Sequence, residues 1–220
     1  MNIYGIDFSV NSTAITKFSG NRVVKFYSFP SVGSKKIQKW QILKPYSVHM
    51  EINVFDYIDV VPYEKIEKSS GDYCETEQTK IKNAYNLSNK IIETIKPQPD
   101  DIFVFEGFSF GSKGNSFIDL IEFNSMLRHA LVIETSPENI HVISPSDNKK
   151  LFSGKGNADK SLMLSAFLEK DHVCEPGLKD YVSKNLSNLY VEKDNSVKKP
   201  IDDIIDSYAL VCSYIAKFRE

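Results

Sequence analysis

Four acidic side chains close apolar runs that lie far apart in this chain, and that placement restricts the folds open to it. Asp7 follows Ile3-Tyr4-Gly5-Ile6, Glu106 follows Ile102-Phe103-Val104-Phe105, and Asp203 and Asp206 stand near the start of a closing apolar helix. A carboxylate at the end of a buried element must reach solvent, a basic partner or a cation, because desolvating a lone charge is prohibitive. Glu106 is the sharpest case, since the strand before it is apolar throughout. An architecture that brings the first strand, the middle strand and the last helix to one patch satisfies all four acids together.

The periodicities supply such an architecture. Residues 3 to 9 read as a buried strand followed by a Val10-Asn11-Ser12 turn, and residues 13 to 19 and 22 to 29 as two more strands joined at Gly20-Asn21, an antiparallel meander. Residues 76 to 96 place Ile81, Ala84, Leu87, Ile91, Ile92 and Ile95 at helical spacing and stop before Pro97 and Pro99. Ile102 to Phe110 reads as a strand covered on both faces. Helices follow at 116 to 134 and 158 to 169, with a short strand at 140 to 144 between them and a final helix from just after Pro200. This order predicts an α/β domain of ribonuclease H type over residues 1 to 220: a mixed five-stranded sheet flanked by helices.

Residues 32 to 75 and 171 to 199 fall outside that skeleton and read as insertions. The first contains a possible hairpin at Val48 to Val61. Trp40 and the aromatics of 46 to 63 suit a DNA-facing or dimer-facing hairpin, or more simply a small satellite core. The second is polar enough to be mobile.

With 220 residues, 41% of them hydrophobic and 25% charged, the chain has the makings of one substantial core. No apolar run approaches the roughly 20 residues that cross a bilayer, and the N-terminus enters a strand directly, so an intracellular, cytoplasmic protein is expected. Cys74, Cys174 and Cys212 fit neither a disulfide framework nor a zinc site and read as reduced thiols. None of His49, His129, His141 and His172 has a partner at metal-ligand spacing. The net charge of −2 does not advertise nucleic-acid binding. Charge is segregated, however: Asp56 to Glu77 is mostly acidic, whereas Lys149, Lys150, Lys155 and Lys160 form a basic cluster relieved by Asp147 and Asp159, which can line a cationic groove.

Oxygen-rich patches suit hard divalent cations such as Mg²⁺. Two such ions held about 3.5–4 Å apart activate a water and stabilise the leaving oxygen in phosphodiester cleavage. The acids therefore point to a metal-dependent nuclease. On the last helix, Ile201, Ile204, Ile205, Tyr208, Cys212 and Ile215 share one face at about 100° per residue, and Asp202 and Asp203 flank Asp206 by roughly 40° and 60°. The wheel does not choose between them, and Asp202 also reads as a first-turn acid favourably placed near the helix N-terminus.

Four segments together resemble the RuvC-like Holliday junction resolvases of the ribonuclease H superfamily: Gly5-Ile6-Asp7, Phe105-Glu106, the stretch Pro145 to Lys160 with Gly154-Lys-Gly156-Asn-Ala158, and Asp203-Ile-Ile-Asp206 followed by Ala209. The resemblance covers most of the chain apart from the insertions, which suggest a phage or viral member. It implies a homodimer that nicks two strands of a four-way junction symmetrically, with two Mg²⁺ ions per site, Mn²⁺ substituting. Asp7 would bridge the metals, Glu106 would hold one, and Asp203 with Asp206 the other, which favours Asp203 over Asp202. Lys149, Lys155 and Lys160 would meet DNA phosphates, and the glycines among them would let backbone approach the DNA closely. Phe108, or Phe110, would be positioned to wedge between bases, since stacking on a base contributes roughly 1–3 kcal/mol; core packing is the competing role for both.

Other readings stay open. The first strand alone also suits an actin-like or sugar-kinase ATPase, but that fold duplicates the domain and needs a longer chain. A noncatalytic DNA-binding module is opposed by acids that repel one another without metal. Flaps, forks and other branched DNA are alternative substrates.

Overall fold

The computed structural model describes residues 1–31, 57–67, 71–108, 114–171 and 173–219. Strand β1 (Asn2–Asp7) lies inside the sheet, antiparallel to β2 (Ser12–Ser19) and parallel to β5 (Ile102–Glu106). β3 (Arg22–Pro30) completes the meander across the turn at Gly20, whose φ of +63° is left-handed and suits glycine. β4 (Ile58–Val60) runs parallel to β3 at one edge, and β6 (Ile140–Ile143) parallel to β5 at the other. Among the described residues the order is β4-β3-β2-β1-β5-β6.

Side chains alternate across a strand, so β1 serves two faces. Tyr4 and Ile6, with Phe103 and Phe105 of β5, face α1 (Tyr73–Ile95) and α2 (Asn115–Glu134) and pack on Leu87, Ile91, Phe123, Leu127 and Leu131. The opposite face, with Ile3, Ala14 and Val104, packs under α7 (Ile201–Phe218) through Ile204, Ile205, Tyr208 and Val211. α7 comes unusually close here. A Cβ on Gly5 would stand 2.2 Å from the Ser207 carbonyl oxygen, so only glycine admits the helix at this depth. Thr16 of β2 and Ser207 share a hydroxyl hydrogen bond of 2.7 Å across the same contact.

The sheet, meander and flanking helices agree with the mixed α/β expectation, and the differences are local. A sixth strand, β4, arises within the stretch assigned to the first insertion; the rest of the possible hairpin, Trp40 and Phe110 lie outside the described residues. Tyr63, three residues past that strand, is buried in the core, and its hydroxyl donates to the Val10 carbonyl. β5 ends at Glu106 and does not continue to Phe110 as a described strand.

The stretch after β6 holds a helix that the sequence reading lacked, α3 (Pro145–Ser153), followed by α4 (Lys160–Glu169). Ser144 caps α3 by accepting the Asp147 amide at 3.1 Å, and Gly154 ends it in the left-handed region. The second insertion is also packed, which corrects the expectation of mobility. Helices α5 (Leu178–Lys184) and α6 (Leu186–Leu189) and a ribbon of β7 (Tyr190–Val191) with β8 (Ser196–Val197) bury Leu178, Tyr181, Val182, Leu189 and Val197 against the α7 side. Enough apolar side chains punctuate the polar sequence to anchor it.

Candidate active site

Asp7 has the parity of Ile3 and Gly5, and Glu106 that of Val104, so both carboxylates project toward α7. Ile6 and Phe105 are register partners, which leaves Asp7 and Glu106 one step further along on neighbouring parallel strands. Glycine at position 5 lets α7 bring Asp203 and Asp206 over this corner. All four predicted acids therefore interact. The Asp7 carboxyl is held well above the usual carboxylate range, first by burial and then by the charges of Asp206, Asp203 and Glu106, with Lys199 opposing. Burial and the neighbouring Asp202, Glu106 and Asp203 charges push Asp206 up to about 7 against the pull of Lys160.

The remaining acids are individually held. Glu106 is raised by burial, partly offset by Asn148 and Lys149. The Asn148 amide donates to Glu106 at 3.3 Å, and Asn148 is itself fixed by the Ser213 hydroxyl of α7, which donates to its side-chain oxygen at 2.8 Å. Asp203 accepts the Ser12 hydroxyl at 2.9 Å on one oxygen and the Lys199 ammonium on the other. Asp202 accepts the Ser196 hydroxyl and the Lys160 ammonium. The two acids differ in their partners: Asp203 acts on Asp7, whereas Asp202 ties the β8 ribbon and α4 to the helix and is the foremost charge acting on Asp206.

Sequence reasoning found the carboxylates but missed Ser12, Asn148, Ser213 and Lys199. Asn148 stands one position before Lys149, and Lys199 lies before the start of α7, in the turn that leads into it.

Among the basic residues, Lys149 is close enough to bias Glu106, Lys160 stands at Asp202 with Asp206 and Asp203 nearby, and Lys155 is exposed on the loop between α3 and α4. Gly156 packs close to Ser146, where a Cβ would lie 3.2 Å from the carbonyl oxygen. Phe108 is half-buried: its ring meets Phe117 edge-on at 5.8 Å, and the Arg128 guanidinium lies 5.4 Å from it while also covering Phe105 at 4.8 Å. His141 packs against Tyr214 and Phe218.

In kind, the donors suit a hard divalent ion: all are carboxylate oxygens, they repel one another, and burial leaves Asp7 and Asp206 short of counter-charge. As they stand, no three Asp, Glu, His or Cys side chains among the described residues are grouped to hold an ion. Asp203 and Asp202 are each paired with a lysine, Lys199 and Lys160 respectively.

No protein-family model matches the chain, and no curated protein matches it in sequence. Among solved structures, RuvC of Thermus thermophilus superposes with a TM-score of 0.50 at 10% identity, covering 100% of this chain and 96% of that one. T. thermophilus RuvC in complex with Holliday junction substrate gives 0.51 at 10% identity, with 100% and 95% covered. The yeast mitochondrial Holliday junction resolvase Ydc2 gives 0.47 at 16% identity, with 97% and 77% covered. With a sheet that carries carboxylates at one corner under a closing helix, and a superposition that spans its whole length, this chain has the RuvC fold.

Proposed function

We propose that this protein is a metal-dependent endodeoxyribonuclease that resolves four-way DNA junctions by paired phosphodiester nicks, acting as a homodimer. The observation that carries the reading is the meeting of Asp7, Glu106, Asp203 and Asp206 on the α7 face of a RuvC-like sheet. The complex of T. thermophilus RuvC with Holliday junction substrate supports branched DNA as the substrate class.

Asp7 and Glu106 would hold one Mg²⁺, and Asp7, Asp203 and Asp206 a second. Bound there, the ions would supply an activated water and neutralise the leaving oxygen. The chain's own residues set the stage for this. Asn148, pinned by Ser213, keeps the Glu106 carboxylate aimed at the corner. Ser12 fixes one oxygen of Asp203. Lys149 and Lys160, beside the acids, and Lys155, on the exposed loop, would meet the phosphates of the bound strand. Phe108, at the exit of β5, would reach DNA bases only by leaving its rest against Phe117 and Arg128.

The test is incubation of the purified protein with labelled four-way, three-way, flap and linear duplex DNA, each with Mg²⁺ and with chelator. Symmetric nicks in the four-way junction that need Mg²⁺ are expected. Cutting that persists in chelator would overturn the metal dependence, and preference for flaps or forks would move the substrate to branched DNA in general.

A further inference from the structure

Two of the lysines beside the acidic corner are paired with acids of α7, and they differ in kind. Lys160 is held by Asp202, which is not one of the four converging acids and also accepts the Ser196 hydroxyl. Lys199 instead pairs with Asp203, one of the four converging acids, and is the positive charge that acts on Asp7. Its side chain is 39% exposed and that of Asp203 only 5%, so the ammonium enters the corner from solvent and covers a buried carboxylate. The second Asp203 oxygen is taken by Ser12. Both Asp203 oxygens therefore already accept a hydrogen bond, one of them from a cation, so a metal approaching Asp203 competes with the Lys199 ammonium.

We propose that Lys199 is an internal counter-ion: it balances the Asp7–Asp203 side of the corner, and a divalent cation must displace it to bind there. The inference rests on the metal-site reading above. A like charge a few ångströms from an incoming cation is repulsive even at intermediate dielectric, so the lysine lowers ion affinity until it swings out. Once displaced, the ammonium lies at the rim of the site, where a phosphate backbone would take it up, so DNA and metal favour the same lysine position and each strengthens the binding of the other. Lys199 is thus a positioning residue that ties metal loading to DNA.

The test needs no cleavage. Ca²⁺ and Mn²⁺ binding by the full chain is measured calorimetrically without DNA for the wild type, Lys199→Met and Lys199→Arg. Lys199→Met is expected to bind about tenfold more tightly, and Lys199→Arg to stay near the wild type. In the unaltered protein, the acylation rate of the Lys199 amine, mapped by mass spectrometry, should rise when Ca²⁺ is added, while that of Lys150 stays constant. Unchanged or weaker affinity in Lys199→Met, no ion binding by any of the proteins, or a Lys199 reactivity indifferent to Ca²⁺ would each overturn the proposal. A protein that cuts junctions yet shows those results loses the counter-ion and keeps the nuclease. Tighter ion binding in Lys199→Met with no cleavage of any branched DNA would do the reverse.

Discussion

The two faces of the central sheet use one strand for opposite purposes. Toward α1 and α2, β1 contributes Tyr4 and Ile6 to an aromatic and aliphatic layer in which the Tyr4 and Phe103 rings stack at 5.0 Å. Toward α7 it contributes Ile3, then a glycine, then Asp7, and the layer turns from apolar to charged within the strand's last three residues. The first face is optimised for stability. The second sacrifices stability at one corner, because carboxylates are packed where burial and like charges raise their protonation range.

Substitutions on the two faces should therefore fail in different ways. Asp7→Asn is expected to abolish Mg²⁺-dependent junction cleavage while leaving junction binding near the wild-type level, and to raise the melting temperature without metal by relieving repulsion. A variant that cuts normally, or melts lower, would break the contrast. Phe103→Ala, on the opposite face, should cost about 3–5 kcal/mol in denaturant unfolding and leave the acids in register in the folded fraction.

Gly5→Ala joins the two behaviours, because its Cβ would sit 2.2 Å from the Ser207 oxygen and force α7 outward. A loss of about 1–3 kcal/mol is expected, with cleavage falling further than stability alone explains, since Asp203 and Asp206 move with the helix. Equal losses in both would show that the close approach serves packing only.

The smallest expected effect is on pH dependence. An acid whose folded-state value lies above its ordinary 3.8 holds its proton more tightly in the fold, so its contribution to stability is present at low pH and is lost as pH rises. For Asp206 the window runs from about 4 to about 7. The metal-free melting temperature of Asp206→Asn should fall less steeply across that window than that of the wild type, by a few degrees. Parallel curves would mean that the corner is better solvated than its burial implies.

The sequence made the α7-facing acids legible because each ended an apolar run, and the meander legible because period-two strands met at Gly20-Asn21. What it hid had short range or mixed composition. β4 spans three residues. α3 carried a serine cap, a proline in its first turn and a terminal glycine, but its polar body read as a loop. The segment before α7 looked loose because five buried apolar residues are spread among lysines and asparagines. Lys199 escaped notice because its role depends on the turn that leads into α7 bringing it back over Asp203, a relation that neither periodicity nor composition encodes.

The dependence of the corner on α7 has a consequence for synthesis. Asp7 and Glu106 leave the ribosome well before Asp203 and Asp206, so a nascent chain carries only half of the anionic set, beside the bare apolar surface of Ile3, Ala14 and Val104 that the helix later covers. Until that helix docks, the chain is adhesive and chemically incomplete. Assembly of the last buried layer and completion of the acidic corner are then one event.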